Sequence, residues 1–180
     1  ASSDHGTYAA RRGHHEIGIR SALANGHVRN EMLPGERGSV TLLMPDRTRM
    51  SIFEAATAYG RAKVPTLIIA GQNYGCGSSR DWAAKGVGYL GVRAVIAESF
   101  ERIHRSNLIG VGVLPLTFPV GVTRKTLGLT GEETFALSGI AAALKLGGRL
   151  ALEITRASGA RETVTLDLAV QTESEIAVLR

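Results

Sequence analysis

Apolar positions along the chain follow two rhythms, and the changes between them mark its elements. Continuous apolar runs bounded by turn residues occur at TLIIAG (66–71), RAVIAES (93–99) and VLPLTF (113–118). Such runs predict strands buried on both faces, the habit of parallel sheets. Between them the apolar spacing lengthens to that of a helix, over RDWAAKGVGYLG (80–91) and FERIHRSNLIG (100–110). Strand, helix, strand, helix, strand at this spacing predicts βαβ units with right-handed crossovers.

Upstream, SVTLLM (39–44) reads as a strand and PDRTR (45–49) as the turn of a hairpin. MSIFEAATAYGRAK (50–63) places Ile52, Ala55, Ala56 and Tyr59 at helical spacing, and Ser51 with Glu54 three residues on forms a capping box. HEIGIRSALAN (15–25) has weaker helical character and stops at Gly26; the polar residues before it read as a loop or an ordered arm. RLALEITRAS (149–158) and RETVTLDLAV (161–170) around Gly159 predict an antiparallel hairpin, closed by a short helix or frayed end over 171–180. The fold class expected is α/β. Residues 1–180 form a single compact layered domain of mixed, largely parallel buried strands with flanking helices and a C-terminal antiparallel hairpin.

Composition narrows the picture. Aromatics make up 5% of the chain, so the core is aliphatic. Glycine contributes 22 of 180 residues with no fixed period, against a usual share of roughly 7%, which implies tight turns and close backbone approaches. The net charge of +5 is carried mostly by arginine, suited to two-pronged grips on carboxylates or phosphates. No basic run interleaved with aromatics supports nucleic-acid binding. Cys76 is the single cysteine, which excludes an internal disulfide and points to a reducing compartment, the cytoplasm. No apolar stretch approaches the roughly 18 residues that would span a membrane. The first residue is Ala1 rather than Met, and the opening ASSDHG reads as the middle of a longer protein.

The segment with chemistry in it is GQNYGCGSSRDW (71–82), running from the end of a buried strand into a helix. Ligands of open α/β sheets bind outside such strand ends, and a helix start presents unpaired amides and a positive dipole end. Gly71, Gly75 and Gly77 permit tight turns and close approach. Ser78, Ser79 and Arg80 then add two hydroxyls and a planar cation, a set suited to a small polycarboxylate. A serine pair before a helix also serves as an ordinary N-cap worth about 1 kcal/mol. Neither a Walker lysine nor GxGxxG spacing favours a nucleotide.

The segment from GQNYGCGSSRDWAAKG through VRAVIAESFERIHRSNLIGVGVLPLTF resembles the C-terminal, swivelling domain of the aconitase family. The likeness extends to YAARRGHHE (8–16), RNEMLPG (29–35), MSIFEAATAYG (50–60) and VTRKTLGLTGEE (122–133), covering about 7–137. It is closer to the aconitase branch than to the isopropylmalate dehydratase small subunit. The resemblance implies a hydro-lyase domain that swings as a lid over cluster-bearing domains. On the matching positions it implies Ser78 as catalytic base, and Ser79 and Arg80 as binders of substrate carboxylate. It implies a [4Fe–4S] cluster in the full enzyme, held by other domains, with no metal or cofactor bound by this chain itself, so that the domain alone is inactive. Citrate, cis-aconitate and isocitrate are the expected tricarboxylates. An RNA-binding role of the iron-regulatory-protein type and a hydro-lyase for 2-methylcitrate or another analogue are the alternatives.

Among the remaining residues, Cys76 reads as a tolerant position, with an oxidation-sensing thiol as the functional alternative. His104 and Arg105 read as structural, or as an interface with the cluster domains. Trp82 reads as packing. Arg11 and Arg12 read as solvated or structural. His5, His14 and His15 lack fitting carboxylate partners for a metal.

Overall fold

The computed structural model describes residues 15–26, 28–77 and 80–180, with the side chains of 15, 16 and 80 outside the description. Arg11, Arg12, His5 and His14 fall outside these residues, so their readings are not addressed by the fold.

The described residues open with α1 (His15–Arg20) and a small antiparallel hairpin, β1 (Val40–Leu43) and β2 (Thr48–Ser51), which leads directly into α2 (Ile52–Arg61). The capping box at the head of α2 is formed in full. The Glu54 amide donates to Ser51 Oγ at 3.1 Å, and the Ser51 amide donates to Glu54 Oε2 at 3.0 Å. Asn30 fastens the preceding loop to β1, donating from Nδ2 to the Val40 carbonyl and to Thr41 Oγ1.

Then come β3 (Thr66–Ile69), α3 (Arg80–Tyr89), β4 (Val92–Ala97), α4 (Arg102–Gly110) and β5 (Leu114–Thr117), the expected alternation. β3 pairs parallel with β4, and β4 parallel with β5. The C-terminal part supplies β6 (Thr134–Ser138), α5 (Ile140–Ala143), β7 (Arg149–Thr155), β8 (Arg161–Leu168) and α6 (Glu173–Leu179). These strands extend the same sheet in the order β3-β4-β5-β8-β7-β6, with every added pairing antiparallel. The mixed sheet and the β7–β8 hairpin are as expected. The antiparallel share is larger than the sequence pattern conveys, because β6 is a further strand and β8 docks on β5. One expectation needs correcting: β3 is half-buried along its length, not buried on both faces, because it is the edge strand.

β4 is the shared wall of two apolar clusters. Ala94 and Ile96 join Leu116, Leu152, Ile154, Leu166 and Ile176 in one, whereas Val95 faces Ala84, Val87 and Leu108 in the other. Alternation along a strand sends neighbouring side chains to opposite faces, which is how one strand serves both. α1 packs on α3 through small residues. A Cβ on Gly18 would lie 2.3 Å from Trp82 Cζ2, and one on Gly86 would lie 2.9 Å from the Ala22 methyl. Trp82 is thus a packing residue, seated on α1.

Two arginines brace the C-terminal part. Arg105, 6% exposed, donates to both carboxylate oxygens of Glu175 (2.7 and 2.9 Å) and to the Ala169 carbonyl, fixing α6 to α4. This makes Arg105 structural. Arg156 donates to the carbonyls of Leu127 and Gly128 and pairs with Glu133 and Glu162, closing the 119–133 loop over the β7–β8 hairpin. The same loop reaches back to the N-terminal region through the pairs Arg124–Glu31 and Arg47–Glu132, and Gly131 packs against the Met32 side chain. Two sequence segments almost a hundred residues apart, RNEMLPG and TGEE, therefore meet.

Hydrogen bonds from Arg105 lower the Glu175 carboxyl to about 2, against the opposing effect of burial. A depressed acid pKa gives stability that is present above the unfolded value and lost as pH falls through the folded one. We therefore expect Glu175→Gln to cost up to about 3 kcal/mol near neutrality. The difference from the parent chain should shrink from about pH 5 downward and vanish near pH 2, as read by urea unfolding across that range.

Candidate functional site

The parallel pairing of β3 and β4 does not stop at the strand ends. The Ala70 amide donates to the Ile96 carbonyl at 2.8 Å, and the Glu98 amide donates to the Gly71 carbonyl at 3.1 Å. Further out, Tyr74 and Phe100 form a parallel bridge: the Tyr74 amide bonds the Ser99 carbonyl and the Glu101 amide bonds the Tyr74 carbonyl, both at 2.9 Å. The Asn73 amide adds a bond to Ser99 Oγ at 2.8 Å. The loop after β3 is thus tied to the loop after β4, and both stand at the C-terminal end of the parallel strands, where open α/β sheets take their ligands.

Left-handed backbone makes this path possible. Asn73 (φ 53), Gly75 (φ 92) and Gly77 (φ 73) turn the chain in quick succession, and the Cys76 amide closes a turn on the Asn73 carbonyl at 3.0 Å. Asparagine and glycine are the residues that reach this region at least cost. Gly75 also meets a close approach, since a Cβ there would lie 2.3 Å from His104 Cγ. Cys76 and Gly77 emerge exposed, and the Cys76 thiol is free.

Ser78 and Ser79 lie outside the described residues; Arg80 begins α3, with its side chain outside the description. The structure describes the segments before and after them. On one side is the strapped loop 71–77. On the other is α3, whose first turn carries Asp81 in an (i, i+4) pair with Lys85 at 2.9 Å. The hydrogen bond from Lys85 holds the Asp81 carboxyl below its ordinary value.

Beneath the loop is a ring cluster. Tyr74 meets Phe100 edge to face, with centroids 6.0 Å apart, and meets His104 at 5.2 Å. Burial pushes the Tyr74 hydroxyl well above its usual range and pushes the His104 imidazole below its own, with Glu101 opposing the latter. Glu101 caps α4, accepting from the Ile103 amide at 3.0 Å and the His104 amide at 2.7 Å. Those two amides lower its carboxyl pKa. Sequence reasoning did not find Tyr74, Ser99 and Glu101 as partners of the loop; the one signal for them was a glycine-rich turn needing something firm below it.

One cysteine falls short of the cluster ligands the resemblance implies. Among the described residues no three His, Cys, Asp or Glu side chains converge as a metal site. No helix among the described residues is long and apolar enough to cross a membrane.

A mixed sheet with a serine-bearing, glycine-rich loop strapped across its parallel strand ends defines a class of α/β ligand-binding domain. Comparison with known proteins names the family: the aconitase C-terminal domain model matches residues 1–121, and the chain belongs to that family. It is 53% identical over 173 residues to aconitate hydratase A of Salmonella typhimurium and 52% identical over 173 residues to that of Escherichia coli. Each match takes in 96% of this chain and 19% of the relative, so the chain spans about a fifth of their length. Among solved structures, 3-isopropylmalate dehydratase of Methanocaldococcus jannaschii is 25% identical, with 71% of each chain covered and a TM-score of 0.37. A likeness of that degree carries no argument here.

Two outcomes are expected at this site. In alkaline titration followed at 295 nm, Tyr74→Phe leaves the absorbance rise below about pH 11 unchanged, because the buried hydroxyl stays protonated there. Gly75→Ala, forced into left-handed backbone against an imidazole, costs upward of about 1 kcal/mol in thermal or urea unfolding.

Proposed function

We propose that this chain is the substrate-binding and catalytic-base domain of an aconitate hydratase, interconverting citrate and isocitrate through cis-aconitate. We read residues 1–180 as one functional unit, with the motif-bearing part at about 7–137. The observation that carries the reading is the position of the loop 71–77, whose sequence runs on into SSR. It is strapped over the parallel strand ends, in a chain about half identical to aconitate hydratase A.

In this reading Ser78 takes the carbon-bound proton of the substrate while the hydroxyl on the adjacent carbon accepts a second proton from an acid on another segment of the complete enzyme and departs as water, leaving a carbon–carbon double bond. Hydration returns the proton by the reverse path. A free serine hydroxyl is far too weak a base at neutral pH, so its anion needs neighbouring amides and a cation to stabilise it. The loop amides and Arg80 are suited to that task, as the donors of an oxyanion hole are. Ser79 and Arg80 hold substrate carboxylate. The guanidinium offers two parallel bonds, which orient the substrate as well as bind it.

A [4Fe–4S] cluster does not fit this chain's one thiol, so in the complete enzyme it falls to other segments. The partners of the domain in this reading are its tricarboxylate and those cluster-bearing segments. A cytoplasmic setting accords with its free, exposed Cys76.

The test follows cis-aconitate absorbance for the chain alone and for the chain combined with the cluster-bearing remainder of an aconitate hydratase. Activity is expected only in the combination, with Ser78→Ala lowering kcat at least about 100-fold and Arg80→Gln both raising KM and lowering kcat. A combined enzyme with an intact cluster and no turnover of cis-aconitate would contradict the reading.

A further inference from the structure

We propose that His104 is a positioning residue for the serine loop: its buried imidazole is the seat on which Gly75 rests, setting the path of the backbone that leads to Ser78. The inference rests on the reading of that loop as catalytic, and adds to it a residue on a different element.

The geometry is a closed circuit. The Glu101 amide donates to the Tyr74 carbonyl at 2.9 Å. The Glu101 carboxylate accepts the His104 amide at 2.7 Å. The His104 ring then returns to the loop, so close to Gly75 that an added Cβ would lie 2.3 Å from Cγ and 2.4 Å from both Cβ and Cδ2 of the histidine. Tyr74, the residue before Gly75, meets the same imidazole edge to face at 66°. One side chain thus contacts two consecutive loop residues while its own backbone is fixed by the cap of α4.

Its surroundings suit a seat and not a proton carrier. His104 is 3% exposed, and burial favours the neutral ring. The neighbouring Arg105 is bonded to Glu175 of α6, so α4 is anchored to α6 while His104 supports the loop. A displacement of about 1 Å at a reacting group costs on the order of 100-fold in rate. A seat three residues from the catalytic serine is well placed to prevent such a displacement.

The experiment compares the chain with His104→Ala, which removes the ring, and His104→Phe, which keeps one, by hydrogen–deuterium exchange and then by kinetics. The amides of Asn73, Tyr74 and Cys76, all bonded in the loop, should exchange at least about tenfold faster in His104→Ala. Those of β4 should stay protected, and His104→Phe should resemble the parent. In the complete enzyme His104→Ala should lower kcat about 10- to 100-fold with little change in KM, and His104→Phe should recover most of it. Unchanged exchange over 71–77, or equal acceleration in β4, overturns the positioning role. So does a loosened loop that turns over at the parent kcat while Ser78→Ala is inactive. An active Ser78→Ala enzyme would instead sink the catalytic reading of the loop, whatever His104 does.

Discussion

The parallel hydrogen bonding of β3 and β4 continues beyond both strands, and the rest of the site depends on that continuation. A loop released at a strand end ordinarily samples many paths, and each ordered residue costs roughly 1–2 kcal/mol of backbone entropy. Here residues 70–76 are bonded at four amides to the sister segment or to themselves, and left-handed backbone at Asn73 and Gly75 lets them lie down on a bed of rings. The order is built into the ground state. A site meant to stabilise developing charge gains from donors already in place before the reaction begins.

The sheet's two halves divide the labour. The parallel half, β3 to β5, brings the loops to one edge. The antiparallel half, β8, β7 and β6, adds much of the buried apolar surface without contributing to that edge by its own motifs. Its coupling to the site runs through α4: Arg105 grips α6, and His104 and the Glu101 cap meet the loop. The N-terminal elements meet the same framework from the other side, through Trp82 on Gly18 and through the pairs linking 31 and 47 to the 119–133 loop.

Local signals were legible in the sequence and distant ones were not. The Ser51–Glu54 capping box, the βαβ alternation and the β7–β8 hairpin each depend on residues within one element or its neighbour, so their pattern showed them directly. β6 escaped because TFALS is a short edge strand with three of its five residues exposed. The docking of β8 on β5 rests on two register pairs, Leu116 with Leu168 and Thr117 with Asp167, and no local pattern announces such a pairing. At the site, the motif residues 78–80 were visible because of their chemistry and their likeness to a family. The support under them was not, since Gly75 and His104 are separated in sequence and joined only by the fold.

In the proposed function this domain delivers the serine that moves the carbon-bound proton. The most direct measurement is washout of deuterium into water from citrate labelled at its methylene carbons, in a complete enzyme carrying this domain. The parent enzyme is expected to release label, whereas Ser78→Ala is expected to bind the labelled substrate yet retain the deuterium. Washout at the parent rate from Ser78→Ala would contradict that role, because the proton would then be taken by another group.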